Sequence, residues 1–490
     1  MLLGIDLGTT GLKAAAYCRA SGRCLGMASE RLAVRTPGES GREQDAGDLL
    51  AALMLVLGRL REQTGDLWST VEGIGLAAQG GSTVVVAADD ARPLTPVYLW
   101  NDFRCFNHFG RIRAQRPRDF WRSFSLRDDT GLALARLAWL RDSRPELFSP
   151  GHLYVGVGEL VFHALTGMWR QDGCHAQQAG CFDVRGNTLA PEPLSLIGLD
   201  PSSFSPLRQG HETHPLDPQA AGLFGLPVGI PVAGPYSDHE AGYFAAAHLS
   251  DRPLQCSLGT AWVGNFVLEG DFPPGSGYQL PVPSPKGAGL LVIQALLTGN
   301  QTWDWGLHHL LHQDHRSALR ALDAIFDERL LPSPGLICLP WVGRPNPLAA
   351  GHGAGAFFGI STTTDDKDLL RAMAAGMAFE FFRIFEHVID SGLVDSLVLS
   401  GGAGRGREMQ RLFGALGKPL PVLVMSDSEA MGTRGCLAAF ESPAAQGPAS
   451  PALLEPAPDP DALSALRALY ETLAEKLYSP ESSGRPFLLK

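Results

Sequence analysis

Asp6-Leu7-Gly8-Thr9-Thr10 and Ser257-Leu258-Gly259-Thr260 are nearly the same turn written twice in one chain. Each follows an apolar run that reads as a strand, and each leads into a second strand. Both places therefore read as a β-hairpin whose glycine lets backbone approach an anion and whose threonine adds a hydroxyl donor. Two such hairpins, one near the start of each half of the chain, point to a polyphosphate gripped from two sides. Asp6 closes the first strand, and a carboxylate there suits Mg²⁺, which keeps most of its water and shares it with phosphate oxygens. Alone, an Asp-x-Gly-Thr is as readily an ordinary hairpin turn; the repeat favours the phosphate site.

A second group of chemical residues is Gly234-Pro235-Tyr236-Ser237-Asp238-His239-Glu240. Gly and Pro predict a turn, and Ser237 or Asp238 would cap the helix that follows. The functional reading makes Asp238 the base that takes a proton from a hydroxyl attacking a phosphorus atom, with His239 and Glu240 as rivals for the role. A third group, Ser400-Gly401-Gly402-Ala403-Gly404, follows the strand 397–400 and leaves bare backbone on which an adenosine can lie. It is not a Walker A loop, because no Gly-Lys-Ser/Thr follows. A fourth, Trp100-Asn101-Asp102-Phe103-Arg104 with Gln79 upstream, offers an aromatic face and polar groups for a sugar, and serves equally well as scaffold.

These residues need a frame. Strands are predicted at 2–6, 13–18, 31–35, 73–78 and 83–87, and helices at 46–63, 133–141, 160–165, 238–249 and 368–389. Residues 210–231, rich in Gly and Pro, read as a loop, and 443–460 as a Pro/Ala-rich connector. A last helix carries Leu463, Leu466, Tyr470, Leu473 and Leu477 on one face and should pack back on the second half. Alternating strands and helices in both halves imply an α/β protein of two related lobes.

At 490 residues the chain exceeds a single core. Its net charge of −11 and lack of a basic stripe argue against nucleic acid or an anionic membrane as partner, while leaving ATP open. No apolar run reaches the roughly 20 residues that span a bilayer. The eight cysteines lack metal-like spacing and read as reduced thiols, so a cytosolic location is expected.

Taken in order, these segments resemble the FGGY family of carbohydrate kinases, part of the larger group that holds actin, hexokinase and the heat-shock chaperones. Asp6 to Thr10 is similar to the first phosphate motif, Ser257 to Thr260 to the second, and Gly401-Gly402-Ala403 with Gln410 to the adenosine motif. Thr130-Gly131 with Leu137-x-Trp139-Leu140 resembles the first signature, with Arg136 where lysine is usual. Gly355-x-Phe357-x-Gly359-Ile360 opens like the second signature, which then departs at Ala374-Ala375.

The resemblance implies two ribonuclease-H-like lobes, 1–246 and 247–490, with ATP and Mg²⁺ in the cleft and a sugar or polyol as acceptor. Nucleotide and metal would be held by Asp6, Gly8, Thr9, Thr10, Lys13, Gly259, Thr260, Gly401, Gly402 and Ala403. The acceptor would meet Gln79, Gly80, Gly81, Trp100, Asp102 and Asp238, the last as catalytic base. Xylulokinases usually carry Met-His after the glutamine equivalent to Gln79. Here Gly80-Gly81 stand instead, which predicts a missing pocket wall and room for a bulkier or differently shaped acceptor. A non-catalytic ATP- or sugar-binding regulator is the rival reading, and a monomer and a homodimer are both compatible with the family.

Overall fold

The computed structural model describes residues 1–259, 261–270, 279–284, 287, 289–296, 298–311, 315–342, 355–443, 446–455 and 457–477. Two mixed sheets organise them. The first is built from β1 (Leu2–Leu7), β2 (Gly11–Tyr17), β3 (Cys24–Arg31), β4 (Gly73–Ala78), β5 (Thr213–Pro215) and β6 (Pro231–Ser237), in the order β5-β6-β4-β1-β2-β3. The second uses β7 (Pro253–Leu258), β8 (Trp262–Leu268), β9 (Gln279–Pro283), β10 (Leu290–Ala295), β11 (Ser396–Ser400), β12 (Val422–Met425) and β13 (Ala449–Pro451), ordered β9-β10-β8-β7-β11-β12-β13.

The two sheets share one plan. In each, an antiparallel hairpin gains a third antiparallel strand, and the first hairpin strand pairs in parallel with one later strand, which pairs in parallel with another. The parallel strands β4 and β11 are buried along their whole length, as strands covered on both faces must be. The repeat in the sequence is thus a repeat in topology. It puts the turn after β1 beside the end of β4, and the turn after β7 beside the end of β11.

Helix α1 (Ala46–Thr64) covers the first sheet with Leu49, Leu53, Val56, Leu57 and Leu60, at helical spacing, and Asp45 caps it by accepting the Gly47 amide at 2.8 Å. Helix α2 (Gly173–Gln178) follows Asp172, and α3 (Asp238–Ala247) follows β6. In the second half, α4 (Asn300–Leu310), α5 (Asp366–Asp390), α6 (Arg407–Leu416) and α8 (Pro460–Leu477) gather around the other sheet, and α7 (Met431–Gly435) stands apart from them. Helix α8 packs back through Leu463, Leu466 and Tyr470. The Tyr470 hydroxyl donates to Glu380 at 2.8 Å, and Arg383 grips the same carboxylate at 2.8 and 2.7 Å. Leu477, expected on that face, is exposed.

Several expectations need correction. The third strand is Cys24–Arg31 rather than 31–35. The stretch 210–231 contains β5 and a helix, Pro218–Phe224, each too short to show a period. Gly234-Pro235 is not a turn between elements: it is a bulge inside β6, where pairing with β4 slips between Ala233 and Tyr236. Proline has no amide to lend to a ladder, and a bulge is where a strand tolerates it. The connector 443–460 carries β13.

Helix α7 belongs to the second half of the chain yet lies on the first sheet. Thr433 Oγ1 shares a 2.7 Å hydrogen bond with the Tyr17 hydroxyl, and the chain beyond it touches β4 so closely that a Cβ on Gly75 would fall on the Cys436 carbonyl. The obstacle is backbone, which cannot swing away. Gly75→Ala is therefore expected to destabilise the fold by about 2–3 kcal/mol, the cost of forcing extra volume into a packed interior. Chemical denaturation measures it, and an unchanged midpoint would contradict this contact.

Candidate active site

The chain leaves β1 at Leu7 and turns tightly, with the Gly8 amide donating to the Gly11 carbonyl at 2.9 Å. The turn holds Thr9 against the end of β4. Its hydroxyl donates to Gln79 Oε1 at 2.7 Å and accepts from Trp100 Nε1 at 3.2 Å, while its carbonyl accepts from Gln44 Nε2 at 2.8 Å. The turn after β1 and the segments that carry Gln44, Gln79 and Trp100 are thus joined through one residue. Thr10, next in the turn, is exposed.

The other end of the Gln79 amide is the telling one. Nε2 is buried and has no hydrogen-bond partner among the described residues. A buried donor left without a partner is costly, and one beside an opening is satisfied once water or a ligand supplies the acceptor. Trp100, 39% exposed, stands beside it as an open aromatic face.

Asp6, half-buried, pairs across the hairpin with Lys13. Removal from water, and then the charge of Asp238, push its carboxyl up to about 6 against the opposing pull of Lys13. Asp6 and Asp238 are therefore neighbours in space although they lie in different elements. Directly under Asp6 runs α7, where a Cβ on Gly432 would fall on the carboxylate.

Asp238 is the first residue of α3, and capping is done by its neighbour: Ser237 Oγ accepts the Glu240 amide at 3.1 Å. Asp238 is left with a side chain 40% exposed, accepting one bond, from the His239 amide at 3.0 Å. Its rivals are placed differently. Arg208 holds both oxygens of Glu240 at 2.7 and 2.9 Å, which ties that carboxylate to a structural pair. His239 Nε2 lies 4.0 Å from Asp238 Oδ1.

Asp102 departs from the sugar-contact role. Its side chain is fully buried and carries Arg104 Nη2 at 2.5 Å and the Arg42 amide at 2.9 Å. Arg104 also binds Glu43 at 2.6 Å. Asp102 braces the loop that carries Trp100 and does not face the opening.

The expected gap at Gly80-Gly81 is also filled. Gln178, at the end of α2, lies over both glycines: a Cβ on Gly80 would sit 2.9 Å from Gln178 Nε2, and one on Gly81 would fall on Gln178 Oε1. The predicted missing wall is supplied from another helix. Sequence reasoning passed over this residue and over Asp172, which caps α2 by accepting the His175 amide at 2.8 Å. Burial above all, then the nearby Glu240, raises the Asp172 carboxyl to about 7.

The turns after β7 and β11 converge in the second sheet. The Gly259 carbonyl accepts the Asn300 amide at 3.0 Å, and Asn300 Oδ1 accepts Trp262 Nε1 at 3.1 Å. Gly401, at φ 82°, passes so near β7 that a Cβ there would lie 2.6 Å from the Leu258 carbonyl carbon. Gly402 is exposed and Ala403 buried, and a Cβ on Gly402 would lie 3.3 Å from Asn300 Nδ2. Asn300, at the start of α4, carries no motif of its own and was also missed. Gln410 Nε2 donates to the Gly404 and Arg405 carbonyls at 3.3 Å, tying α6 to this turn. Thr260 lies outside the described residues.

Among the described residues no group of three or more His, Cys, Asp or Glu side chains could hold a metal by itself. A lone carboxylate beside a second one fits an ion that keeps its water and shares phosphate oxygens. All eight cysteines are free thiols, and among the described residues no helix is long and apolar enough to cross a membrane.

Residues 1–245 match the N-terminal domain of the FGGY family of carbohydrate kinases. The chain is 25% identical over 418 residues to the xylulose kinase of Escherichia coli (strain K12), covering 84% of each. It is 21% identical over 433 residues to the gluconokinase of Bacillus subtilis (strain 168), covering 84% of this chain and 82% of the relative. Its fold matches the crystal structure of xylulose kinase from Rhodospirillum rubrum with a TM-score of 0.82 at 21% identity, over 97% of this chain and 98% of that one.

Proposed function

Because the chain belongs to the FGGY family of carbohydrate kinases, we propose that it transfers the γ-phosphoryl group of ATP to a hydroxyl of a sugar or polyol, such as a ketose of the xylulose type. The observation that carries this reading is the meeting of Asp6, Asp238, Thr9 and the unpartnered Gln79 Nε2 at one place, drawn from β1 and the turn after it, the end of β4 and the start of α3. It is a meeting of one phosphate-binding turn, one unsatisfied polar donor and one accessible carboxylate. Those are the parts that phosphoryl transfer to an alcohol requires.

The roles follow from position. Asp238 accepts the proton of the attacking hydroxyl as its oxygen bonds to the γ-phosphorus and the bond to the β-phosphate oxygen breaks, releasing ADP. Thr9 and the backbone around Gly8, with Lys13, receive the phosphate end, and Gly259, Gly401, Gly402 and Ala403 receive the nucleoside end. Thr260 is assigned to the phosphates on the motif alone. Asp6 is the residue that would hold Mg²⁺ through water, and the ion, when bound, offsets charge on the phosphate oxygens. Gln79, Trp100 and the Gly80-Gly81 turn face the acceptor, with Asp102 behind them as support. We place the lobe division at 246/247, between the two sheets, and the protein in the cytosol.

A coupled assay of ADP release across ketopentoses, ketohexoses, polyols and sugar acids tests this directly. Acceptor-dependent release with at least one neutral sugar or polyol is expected. Release independent of every acceptor would reduce the protein to an ATPase, and no release at all would favour a binding regulator.

A further inference from the structure

Gln178 fills the space that Gly80 and Gly81 leave open. Helix α2 lies between the β4 turn and Asp238. Its Cys174 lies 3.7 Å from a Cβ position on Gly80 and is close enough to Ser237 and Asp238 to feel both. One turn later, Gln178 reaches over Gly80 and Gly81 towards the wall of Trp100, whose Cβ is 3.2 Å from a Cβ position on Gly81. Gly81 has φ 70°, a conformation that disfavours any side chain, so the volume has to be filled from elsewhere. Gln178 Nε2 has only a long contact to Cys174 Sγ at 3.6 Å, a weak acceptor, and the residue is half-exposed. Its amide is thus free to bind something better.

Resting on the sugar-kinase reading above, we propose that Gln178 is a specificity-determining residue of the acceptor site: its carboxamide, paired with that of Gln79, binds hydroxyls of an uncharged polyol or ketose. Two neutral amides supply donors and acceptors in the pattern a vicinal diol needs and carry no charge to balance an acid. The charges around them point the same way. Asp6 and Asp238 are both anionic when ionised, and the nearby guanidinium groups are engaged elsewhere. Arg104 is held by Asp102 and Glu43, and Arg136, fully buried, donates to the Gly81 carbonyl at 2.8 Å, Thr83 Oγ1 at 2.9 Å and the Leu99 carbonyl at 2.8 Å. Arg136 therefore supports the glycine turn from behind. A carboxylate on the acceptor would meet like charge, and the remaining cation, Lys13, faces Asp6 across the hairpin and is assigned to the phosphate end.

The test is a double-mutant cycle on the full-length protein, read as KM and kcat for neutral ketoses and polyols and for aldonates. Gln178→Gly is expected to raise the KM of the preferred neutral acceptor about tenfold, the loss of one hydrogen-bonding group, with KM rising more than kcat falls and the KM for ATP moving by less than about twofold. Gly80→Ala, which pushes Gln178 aside, should raise the same KM. In Gly80→Ala/Gln178→Gly the effects should fail to add, because the new methyl enters space already vacated. Gln178→Asn should lie between, and serves if the glycine variant does not fold by circular dichroism. Acceptor KM values unchanged in Gln178→Gly and Gln178→Asn, or a wild type that prefers an aldonate, would overturn the proposal while leaving a kinase. A wild type that turns over no acceptor would overturn the kinase reading and this assignment with it.

Discussion

Asp238→Asn is expected to lower kcat by about 10³-fold, within the range that a positioned general base contributes, while the dissociation constant for ATP stays within about twofold. The geometry separates the two effects. Asp238 is not the helix cap, since Ser237 performs that task, and its single backbone bond comes from the amide next to it. Removing its charge should leave α3 and the fold in place. Asparagine keeps the shape and the ability to accept a hydrogen bond, yet it cannot take a proton. The neighbouring Asp6 supplies a control. Loss of the Asp238 charge removes one of the two influences that raise the Asp6 carboxyl, so that carboxyl should titrate lower in Asp238→Asn. Turnover near that of the wild type would remove Asp238 from the base role. With Glu240 tied to Arg208, His239 would be the candidate left to examine.

The second large effect is expected at a residue that belongs to no motif. Gly432→Ala should reduce kcat by about 10²-fold, the cost of moving a catalytic group by roughly an ångström. A methyl at this position meets the Asp6 carboxylate, a side chain that can swing away, rather than backbone. The fold should therefore survive, with a thermal midpoint within a few degrees of wild type, in contrast to Gly75→Ala. The Mg²⁺ concentration for half-maximal rate should rise with the loss of kcat, because the displaced group is the one assigned to the ion. Steady-state kinetics over a Mg²⁺ series measures both, and unchanged values for both would separate Asp6 from the metal.

The contrast between Asp238 and Gly432 shows what a sequence makes legible. Asp6, Gly8 and Asp238 stand at the ends of strands, where the residue types themselves suggest a turn, a phosphate and a base. The repeated hairpin was visible because hairpins are local, and the structure extends it to a repeat of whole sheets. Gly432 acts through a contact with a residue more than four hundred positions away, and nothing local distinguishes it from a glycine in any short helix. Gln178 was illegible for the same reason. Gly80-Gly81 reads as missing volume until the helix that refills it is placed over the turn. Asp102 misled in the opposite direction: an aspartate beside a tryptophan suggested a sugar contact, and burial gave it to Arg104 and the Arg42 amide. The elements misread were those too short or too irregular for a period, including Thr213–Pro215, Pro218–Phe224 and the bulged strand Pro231–Ser237.

In the proposed reaction a phosphoryl group passes directly between a nucleotide and an alcohol beside Asp6 and Asp238. Incubation with ATP labelled in the γ-phosphate and the preferred neutral acceptor, followed by separation of products, measures that passage. The predicted result is label in the phosphorylated acceptor, equal in amount to the ADP formed, and its loss in Asp238→Asn. Label recovered as inorganic phosphate, or phosphorylated acceptor formed undiminished by Asp238→Asn, would contradict it.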